Sequence, residues 1–262
     1  MNIQNLEKAF RKELGNSFCI FNEIDSTNSY IKREACNLSD GYVVCALSQS
    51  TGRGRFGKSF VSPPGGIYFS MLLRPRFSVE LCSELTALAA VAVCCAIEEV
   101  CNVSPSIKWV NDIILGDKKI CGILSELVFS SSGGVDFVVI GVGINANVRA
   151  DCFEGELKQI ASSIFEQTGI ISDAAALAAE TAKRLRDLIA DFPGNRDSIL
   201  AAYRARCATV GRQVCIHEGE KVFQACAEAI DDNFHLVIRD DNGERRALLG
   251  GDVSVRGLCG YI

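Results

Sequence analysis

In the first hundred residues, apolar positions recur first with the period of a helix and then with the period of strands. Residues 2–14 place apolar side chains at helical spacing and stop at Gly15, which predicts a short amphipathic helix. A second helix is predicted to follow the N-capping side chains of residues 25–28 and to run to about Cys36. The apolar segment 79–101 predicts a buried helix. The strands predicted in this half are residues 18–24, 42–47 and 66–73.

The remaining pattern predicts strands, then helices, then strands again. The turn at residues 116–118 separates two short apolar segments and is typical of a hairpin. From Gly211 onward, short strands alternate with tight turns, as in a small β-barrel. The predicted strands are 107–109, 113–115, 119–127 and 135–144, and the predicted helices are 156–167, 173–191 and 196–207. We therefore expect an α+β domain with a mixed, largely antiparallel sheet at residues 1–208 and a small barrel at 211–262.

Composition narrows the class of protein. The chain has 262 residues and a formal net charge of -5, so no overall basic field favours nucleic-acid binding, and any anion site must be local. Its 13 cysteines form no C-x-x-C pair, which favours reduced thiols in a cytoplasmic protein. The longest apolar run, residues 85–97, is too short to cross a bilayer, and residues 1–15 lack a signal-peptide core. We expect neither membrane nor nucleic-acid partners.

A glycine- and arginine-rich segment, residues 52–59, fits two phosphate-binding patterns, G-x-x-x-x-G-K-S and G-x-G-x-x-G. Both patterns need a helix directly after the loop, because helix N-terminal amides bind the phosphate. Residues 60–66 contain two prolines and two glycines, which excludes such a helix. A solvated basic loop and a phosphate-clamping loop both remain open on this segment alone.

Together with that loop, four more segments resemble the catalytic domain of biotin–protein ligases in order and approximate spacing. The similarity covers about residues 22–149, and the tail is similar to the SH3-like barrel of that family. The family commonly has proline where this chain has Val110 and tryptophan where it has Phe60. The segments are residues 25–28 (DSTN), 49–58 (QSTGRGRFGK), 108–112 (KWVND), 119–126 (KICGILSE) and 141–145 (GVGIN).

The resemblance implies a biotin pocket built on short polar side chains. Biotin presents a ureido carbonyl and two N–H groups, which hydroxyls and amides can bind. Ser26 and Thr27 could alternatively do no more than cap a helix. The biotin-binding residues implied are Ser26, Thr27, Asn28, Gln49, Arg53, Gly54, Arg55, Tyr68, Lys108, Ile113 and Gly122.

The resemblance also implies a charged site for the reaction. Lys108 matches a lysine that contacts the biotin carboxylate and the α-phosphate, although its segment alone would suggest an exposed edge charge. Arg55 would close over the adenylate, and Asp112 would face the reacting centre as the third catalytic residue. The nucleotide-binding residues implied are Arg53, Arg55, Lys58, Asn111 and Asn145. No protein-held metal is expected, because Mg²⁺ would arrive with ATP.

These residues predict an enzyme that activates biotin with ATP as biotinyl-5′-AMP. It would then transfer biotin to a lysine of a carrier domain of biotin-dependent carboxylases, such as the biotin carboxyl carrier protein of acetyl-CoA carboxylase. A lipoate–protein ligase and a non-catalytic biotin sensor are the alternatives, and a homodimeric state stays open. Only about two dozen residues precede Asp25, too few for the winged-helix domain of repressor members, so a short form is expected. Every motif for the small ligands lies before Asn147, so the barrel is free to contact the protein partner or the edge of the nucleotide.

Overall fold

The computed structural model describes residues 2–131, 133–250, 253–257 and 261. Its larger part is a seven-stranded sheet in the order β1-β2-β3-β7-β6-β5-β4. Only the β1–β2 pair is parallel, so the predicted mixed, largely antiparallel sheet is confirmed. The strands are β1 (Phe18–Ile24), β2 (Val43–Gln49), β3 (Ile67–Leu73), β4 (Ser106–Lys108), β5 (Asp112–Leu115), β6 (Lys118–Phe129) and β7 (Val135–Ile144).

Helices cover both faces of this sheet. On one face the long helices pack through apolar and small side chains, and Phe10 meets Phe18 edge-on with ring centroids 5.5 Å apart. On the other face, α2 buries Ile31 against Leu72 and Val139. The helices are α1 (Ile3–Leu14), α2 (Thr27–Glu34), α3 (Leu85–Cys101), α4 (Leu157–Ile160), α5 (Ile164–Thr168), α6 (Ala174–Ala190) and α7 (Arg196–Arg206).

Judged by length and composition alone, the helical segment Glu80–Cys101 could cross a membrane. Within the fold, 72% of its most apolar window is buried. Since α3 also contributes an almost continuous series of buried residues to the main core, it is the central helix of that core. The expectation of a buried helix at this position is confirmed.

The single helix predicted over residues 156–167 is wrong, because the chain forms two short helices there. Ala161 forms a bridge with Lys119 of β6, and the Ser162 amide donates to the Lys119 carbonyl at 2.9 Å. The Ser163 hydroxyl then caps α5 by accepting from the Glu166 amide at 3.1 Å. The interruption between α4 and α5 therefore places residues 161–162 beside Lys119 of β6.

The C-terminal region forms a separate five-stranded antiparallel sheet in the order β11-β10-β9-β8-β12. Arg204 donates from Nε to the Ile230 carbonyl at 2.9 Å, and the Trp109 indole donates to the Phe234 carbonyl at 3.0 Å. These bonds tie the small sheet to α7 and to the end of β4. The strands are β8 (Gln213–Glu218), β9 (Lys221–Ile230), β10 (Leu236–Asp240), β11 (Arg245–Leu248) and β12 (Val253–Gly257). The domain boundary between residues 208 and 211 stays a prediction.

Candidate active site

A cavity of about 520 Å³ opens on the face of the sheet that carries α2. Along β7, this face changes from Phe137 and Val139, which pack beneath α2, to Gly141 and Gly143, which line the cavity. Alternate residues of a strand share a face, so the two glycines remove side chains where the ligand space begins. The cavity therefore has a bare backbone floor.

At one end of the cavity, short polar side chains form an interlocked network. The backbone amide of Thr27 donates to Gln49 Oε1 at 2.8 Å, and the Thr27 hydroxyl donates to the same oxygen at 3.1 Å. Gln49 Nε2 donates to the Ser62 hydroxyl at 2.9 Å. Ser26 caps α2 by accepting from the Ser29 amide, so capping and a position on the cavity wall coexist.

Asn28 is the most constrained member of this polar network. Its amide nitrogen donates to Glu126 Oε2 at 2.8 Å, and its Oδ1 lies within hydrogen-bond distance of the Ser70 hydroxyl. A Cβ built on Gly141 would lie 2.2 Å from Asn28 Oδ1. Glu126 also pairs with Lys32 at 2.6 Å, so this carboxylate orients Asn28.

The other end of the cavity is charged. Lys108 and Asp112 are direct partners across β4 and β5, and Lys108 is only 4% exposed. Asp112 Oδ1 pairs with Lys119 Nζ at 2.5 Å. Burial lowers the pKa of Lys108 to about 8, with the charges of Lys119 and Arg256 acting in the same direction and Asp112 opposing them.

Asp112 is held ionised between these two lysines. Burial alone would raise the pKa of its carboxyl group, but the charge and hydrogen bond of Lys119 and the hydrogen bond of Tyr261 outweigh burial, and the pKa is lowered. The charged end thus holds two ammonium groups around one carboxylate. Such a site carries net positive charge and is suited to an anionic ligand.

The basic loop folds as a narrow turn over this region. Gly54 donates from its amide to the Lys58 carbonyl at 2.7 Å, and Arg53 forms a bridge with Ser59. Arg55 donates to Asn111 Oδ1 at 3.0 Å and also to the Gly250 carbonyl. No helix follows the loop, so the exclusion of both helix-dependent phosphate motifs is confirmed.

Two asparagines line the cavity beyond the charged residues. Asn111 donates from Nδ2 to the Ile123 carbonyl at 2.9 Å. This bond orients the Asn111 side chain, whose Oδ1 accepts from Arg55. Asn145 is 3% exposed and donates to the Ser162 carbonyl at 2.9 Å. Its Oδ1 is buried and has no hydrogen-bond partner among the described residues. A buried acceptor of this kind is costly unless a ligand donates to it.

The structure brings most of the predicted site residues to one cavity wall. Their roles stay predictions, but their positions agree with a shared site. Arg53 and Lys58 lie on the exposed rim, whereas Lys108 and Asn145 lie deep in the cavity. The predicted residues that line the cavity are Ser26, Thr27, Asn28, Gln49, Arg53, Gly54, Arg55, Lys58, Lys108, Asn111, Asp112, Gly122 and Asn145.

Tyr68 and Ile113 do not line the cavity, which corrects their prediction as ligand walls. Tyr68 donates to the Pro63 carbonyl at 2.7 Å and lies behind Phe60, with ring centroids 6.4 Å apart. Phe60 itself forms the wall, in the space above Gly122 and Gly143. Ile113 is fully buried in the main core, because it alternates with Asp112 and points to the opposite face of β5.

Lys119 was missed as a site residue although it opens one of the predicted segments. Strand alternation counted back from Gly122 selects Ile120 rather than Lys119 for the cavity face. The register between β5 and β6 shifts at this point, with Cys121 opposite Ile113 and Lys119 opposite Ile114. Such a bulge re-aims a side chain, and Lys119 Nζ lies 3.1 Å from a Cβ built on Gly122.

Residues beyond the predicted motifs also line the cavity. Apolar side chains near α4 form one wall, and the C-terminal sheet adds another. No local motif marks these positions, since each reaches the cavity only through the packing of distant segments. The later residues that line the cavity are Phe153, Glu154, Glu156, Leu157, Ile160, Ala161, Val255, Arg256 and Tyr261.

Comparison with known proteins identifies the family. Residues 20–145 match the model of the biotin/lipoate A/B protein ligase family. A biotin–[acetyl-CoA-carboxylase] ligase of Paracoccus denitrificans is 31% identical over 232 residues, which cover 84% of this chain and 93% of that protein. A bifunctional ligase/repressor of Bacillus spizizenii is 37% identical over 162 residues, and the matched part of this chain spans about half, 50%, of its length.

Among solved structures, a biotin protein ligase from Aquifex aeolicus in complex with biotin and ATP has a TM-score of 0.81 at 28% identity. The match covers 92% of this chain and 99% of that one. It extends the similarity over both sheets and confirms the predicted fold class. The chain belongs to the biotin/lipoate A/B protein ligase family.

Proposed function

We propose that this protein is an ATP-dependent biotin–protein ligase of the cytoplasm. It activates biotin as biotinyl-5′-AMP and then transfers the biotinyl group to a lysine of a carrier domain of biotin-dependent carboxylases. The observation that carries the proposal is one cavity with a neutral hydrogen-bonding end and a cationic end. Biotin has the same division, with a neutral ureido ring at one end and a carboxylate at the other.

The neutral end supports biotin over lipoate as the substrate. Thr27, Asn28 and Gln49 place hydroxyl and amide groups around the cavity end, and Glu126 and Ser70 hold Asn28 in orientation. A ureido ring needs both donors and acceptors, whereas the dithiolane ring of lipoate offers no comparable polar groups. A dithiolane ring in this position would place apolar surface against these polar side chains without making a hydrogen bond to them.

The charged end supports adenylate formation. Attack of the biotin carboxylate on the α-phosphorus of ATP forms a C(O)O–P bond and expels pyrophosphate, so two anions must approach each other. Lys108 and Lys119 lie where they can neutralise the carboxylate and the α-phosphate, and Arg55 can close over the product. In this proposal Mg²⁺ enters with the triphosphate and neutralises part of its charge.

Asn145 supports adenine as the base. Its buried Oδ1 needs a donor, and the 6-amino group of adenine is one, whereas guanine carries a carbonyl at that position. Phe153 and Leu157 line the same cavity and add apolar area for a flat ring. In this assignment GTP replaces ATP poorly, because a carbonyl would face Oδ1.

Transfer to the carrier needs a neutral amine from the acceptor lysine. Asp112 is the one carboxylate held between the two cavity lysines, and we assign it to orient the incoming amine or to receive its proton. The amine then attacks the carbonyl of the mixed anhydride and AMP departs. The amide product leaves biotin on the carrier.

The direct test is exchange of labelled pyrophosphate into ATP by the purified protein. We expect exchange that depends on biotin and that lipoate does not support, followed by biotinylation of an added carrier domain. Exchange with lipoate alone would assign a lipoate ligase. Binding of biotin without any exchange would assign a sensor instead.

A further inference from the structure

Tyr261 lies at the charged end of the cavity and contacts two of its residues at once. The Lys108 ammonium nitrogen lies 3.3 Å from the centroid of the Tyr261 ring. The Tyr261 hydroxyl donates a hydrogen bond to Asp112 Oδ2. Tyr261 is also part of the cavity wall. No sequence motif marks this residue, and it lies beyond the segments that carry the family resemblance.

With these contacts, each carboxylate oxygen of Asp112 has a partner. One carboxylate oxygen pairs with Lys119 and the other accepts from Tyr261, so both oxygens of Asp112 are fixed. Burial and the neighbouring Asp112 charge raise the pKa of the Tyr261 phenol well above its ordinary value. The hydroxyl therefore stays a donor throughout the physiological range of pH.

We propose that Tyr261 is a positioning residue of this site. Its ring shields the Lys108 ammonium from water, and its hydroxyl holds the Asp112 carboxylate in the orientation that pairs with Lys119. A cation shielded from water attracts an anion more strongly than a hydrated one does. Tyr261 thereby strengthens the action of Lys108 on an anionic ligand without itself entering the reaction.

The groups that face Lys108 come from four segments. They are Asp112 from β5, Lys119 from β6, Arg256 from β12, and the Tyr261 phenol. Burial is the largest influence on the pKa of Lys108, and Lys119 and Arg256 lower that pKa further. Loss of the Tyr261 ring admits water to the ammonium group, so the pKa of Lys108 should move upward toward that of an ordinary lysine.

Two substitutions separate the two contacts. Tyr261→Phe keeps the ring and removes only the hydroxyl, whereas Tyr261→Ala removes both. Tyr42→Phe is the matched control, because it removes a phenol hydroxyl from the residue directly before β2, which does not line the cavity. Near-ultraviolet circular dichroism of each variant establishes that its packing is retained.

The first measurement needs no ligand. Reductive methylation with ¹³C-formaldehyde labels the lysines, and the Lys108 signal is assigned by its loss in Lys108→Arg. We expect Lys108 to titrate near pH 8 in the wild type, Tyr261→Phe and Tyr42→Phe. In Tyr261→Ala we expect a titration higher by about one pH unit. An unchanged titration in folded Tyr261→Ala would overturn the shielding role.

The second measurement rests on the proposed function and follows biotin-dependent pyrophosphate exchange. Tyr261→Phe should lower kcat about tenfold and change the KM for biotin less than about twofold, because the hydroxyl acts on Asp112 and not on the neutral end. Tyr42→Phe should match the wild type. If Tyr261→Phe keeps the wild-type kcat, the Tyr261 hydroxyl does not position Asp112 for the reaction. Absence of exchange in the wild type would refute the ligase assignment alone, and the ligand-free titration would still decide the shielding by Tyr261.

Discussion

The two ends of the cavity are built by opposite means. The neutral end uses short side chains from neighbouring elements, and each of its main polar groups already has a protein partner. The charged end uses long side chains of Lys108, Lys119 and Arg55, brought together from two strands and a loop. We infer that the neutral end selects the ligand, whereas the charged end stabilises the charge that develops during the reaction.

The strongest test of this contrast removes the cations. Lys108→Ala and Lys119→Ala should each lower biotin-dependent pyrophosphate exchange about 100-fold, because electrostatic stabilisation of a transition state in a water-excluded site has this magnitude. The affinity for biotin should fall far less. Lys118→Ala is the matched control, since Lys118 is the neighbour of Lys119 and contacts the Gln159 carbonyl instead. Wild-type exchange in folded Lys119→Ala would exclude Lys119 from the reaction.

The next test disturbs the neutral end. Gly141→Ala places a Cβ 2.2 Å from the present position of Asn28 Oδ1, so Asn28 must leave its hydrogen bonds to Ser70 and Glu126. We expect the Kd for biotin, measured by calorimetry, to rise about 30-fold, which corresponds to about 2 kcal/mol for disrupted buried hydrogen bonds. The exchange rate at saturating biotin should change much less. A larger loss in kcat than in affinity would show that the two ends are not separate.

The pH profile gives a third test, confined to the charged end. Because burial lowers the pKa of Lys108 to about 8, its cationic form is present below that pH and is lost as the pH rises through it. The exchange rate should fall about tenfold between pH 7 and pH 9, whereas biotin binding at the neutral end should stay nearly constant over this interval. Equal decline of binding and rate would point to general unfolding.

The smallest effect is expected at the basic loop. Arg55→Gly removes the contacts to Asn111 and Gly250 that hold the loop over the site, but leaves both lysines in place. The adenylate should still form and should dissociate about fivefold faster, as expected for roughly 1 kcal/mol of hydrogen bonding. Incubation with biotin, ATP and albumin should then label albumin more strongly than the wild type does. Equal labelling and equal adenylate retention would exclude Arg55 from this role.

Sequence reasoning succeeded where local pattern and chemistry coincide. Ser26 and the residues after it predict a helix start and supply the polar side chains, and both outcomes depend on the same few positions. Gly122 was predicted to bring bare backbone close to the ligand, and it lines the cavity. These features need no knowledge of distant contacts.

Its failures have distinct physical causes. The prediction for Ile113 was wrong because the family resemblance identifies a matching residue but not the face of the strand to which its side chain points. The prediction for Tyr68 was wrong because Phe60 lies between Tyr68 and the cavity. Lys119 was missed because a bulge shifts the register of β6. Tyr261 reaches the cavity only after the C-terminal sheet docks on α7 and Trp109, and no local pattern encodes that docking.

The Phe60 ring over Gly122 and Gly143 has a consequence for redesign of substrate range. A Cβ on either glycine would come within 2.9 Å of the ring, so the floor cannot gain even a methyl group without driving Phe60 into the ligand space. A larger cavity should therefore be made by changing Phe60, because Phe60→Leu removes an aromatic ring from the cavity wall and leaves the backbone of Gly122 and Gly143 unchanged. A library that varies position 60 and keeps both glycines fixed would test carboxylic acids bulkier than biotin, the proposed substrate.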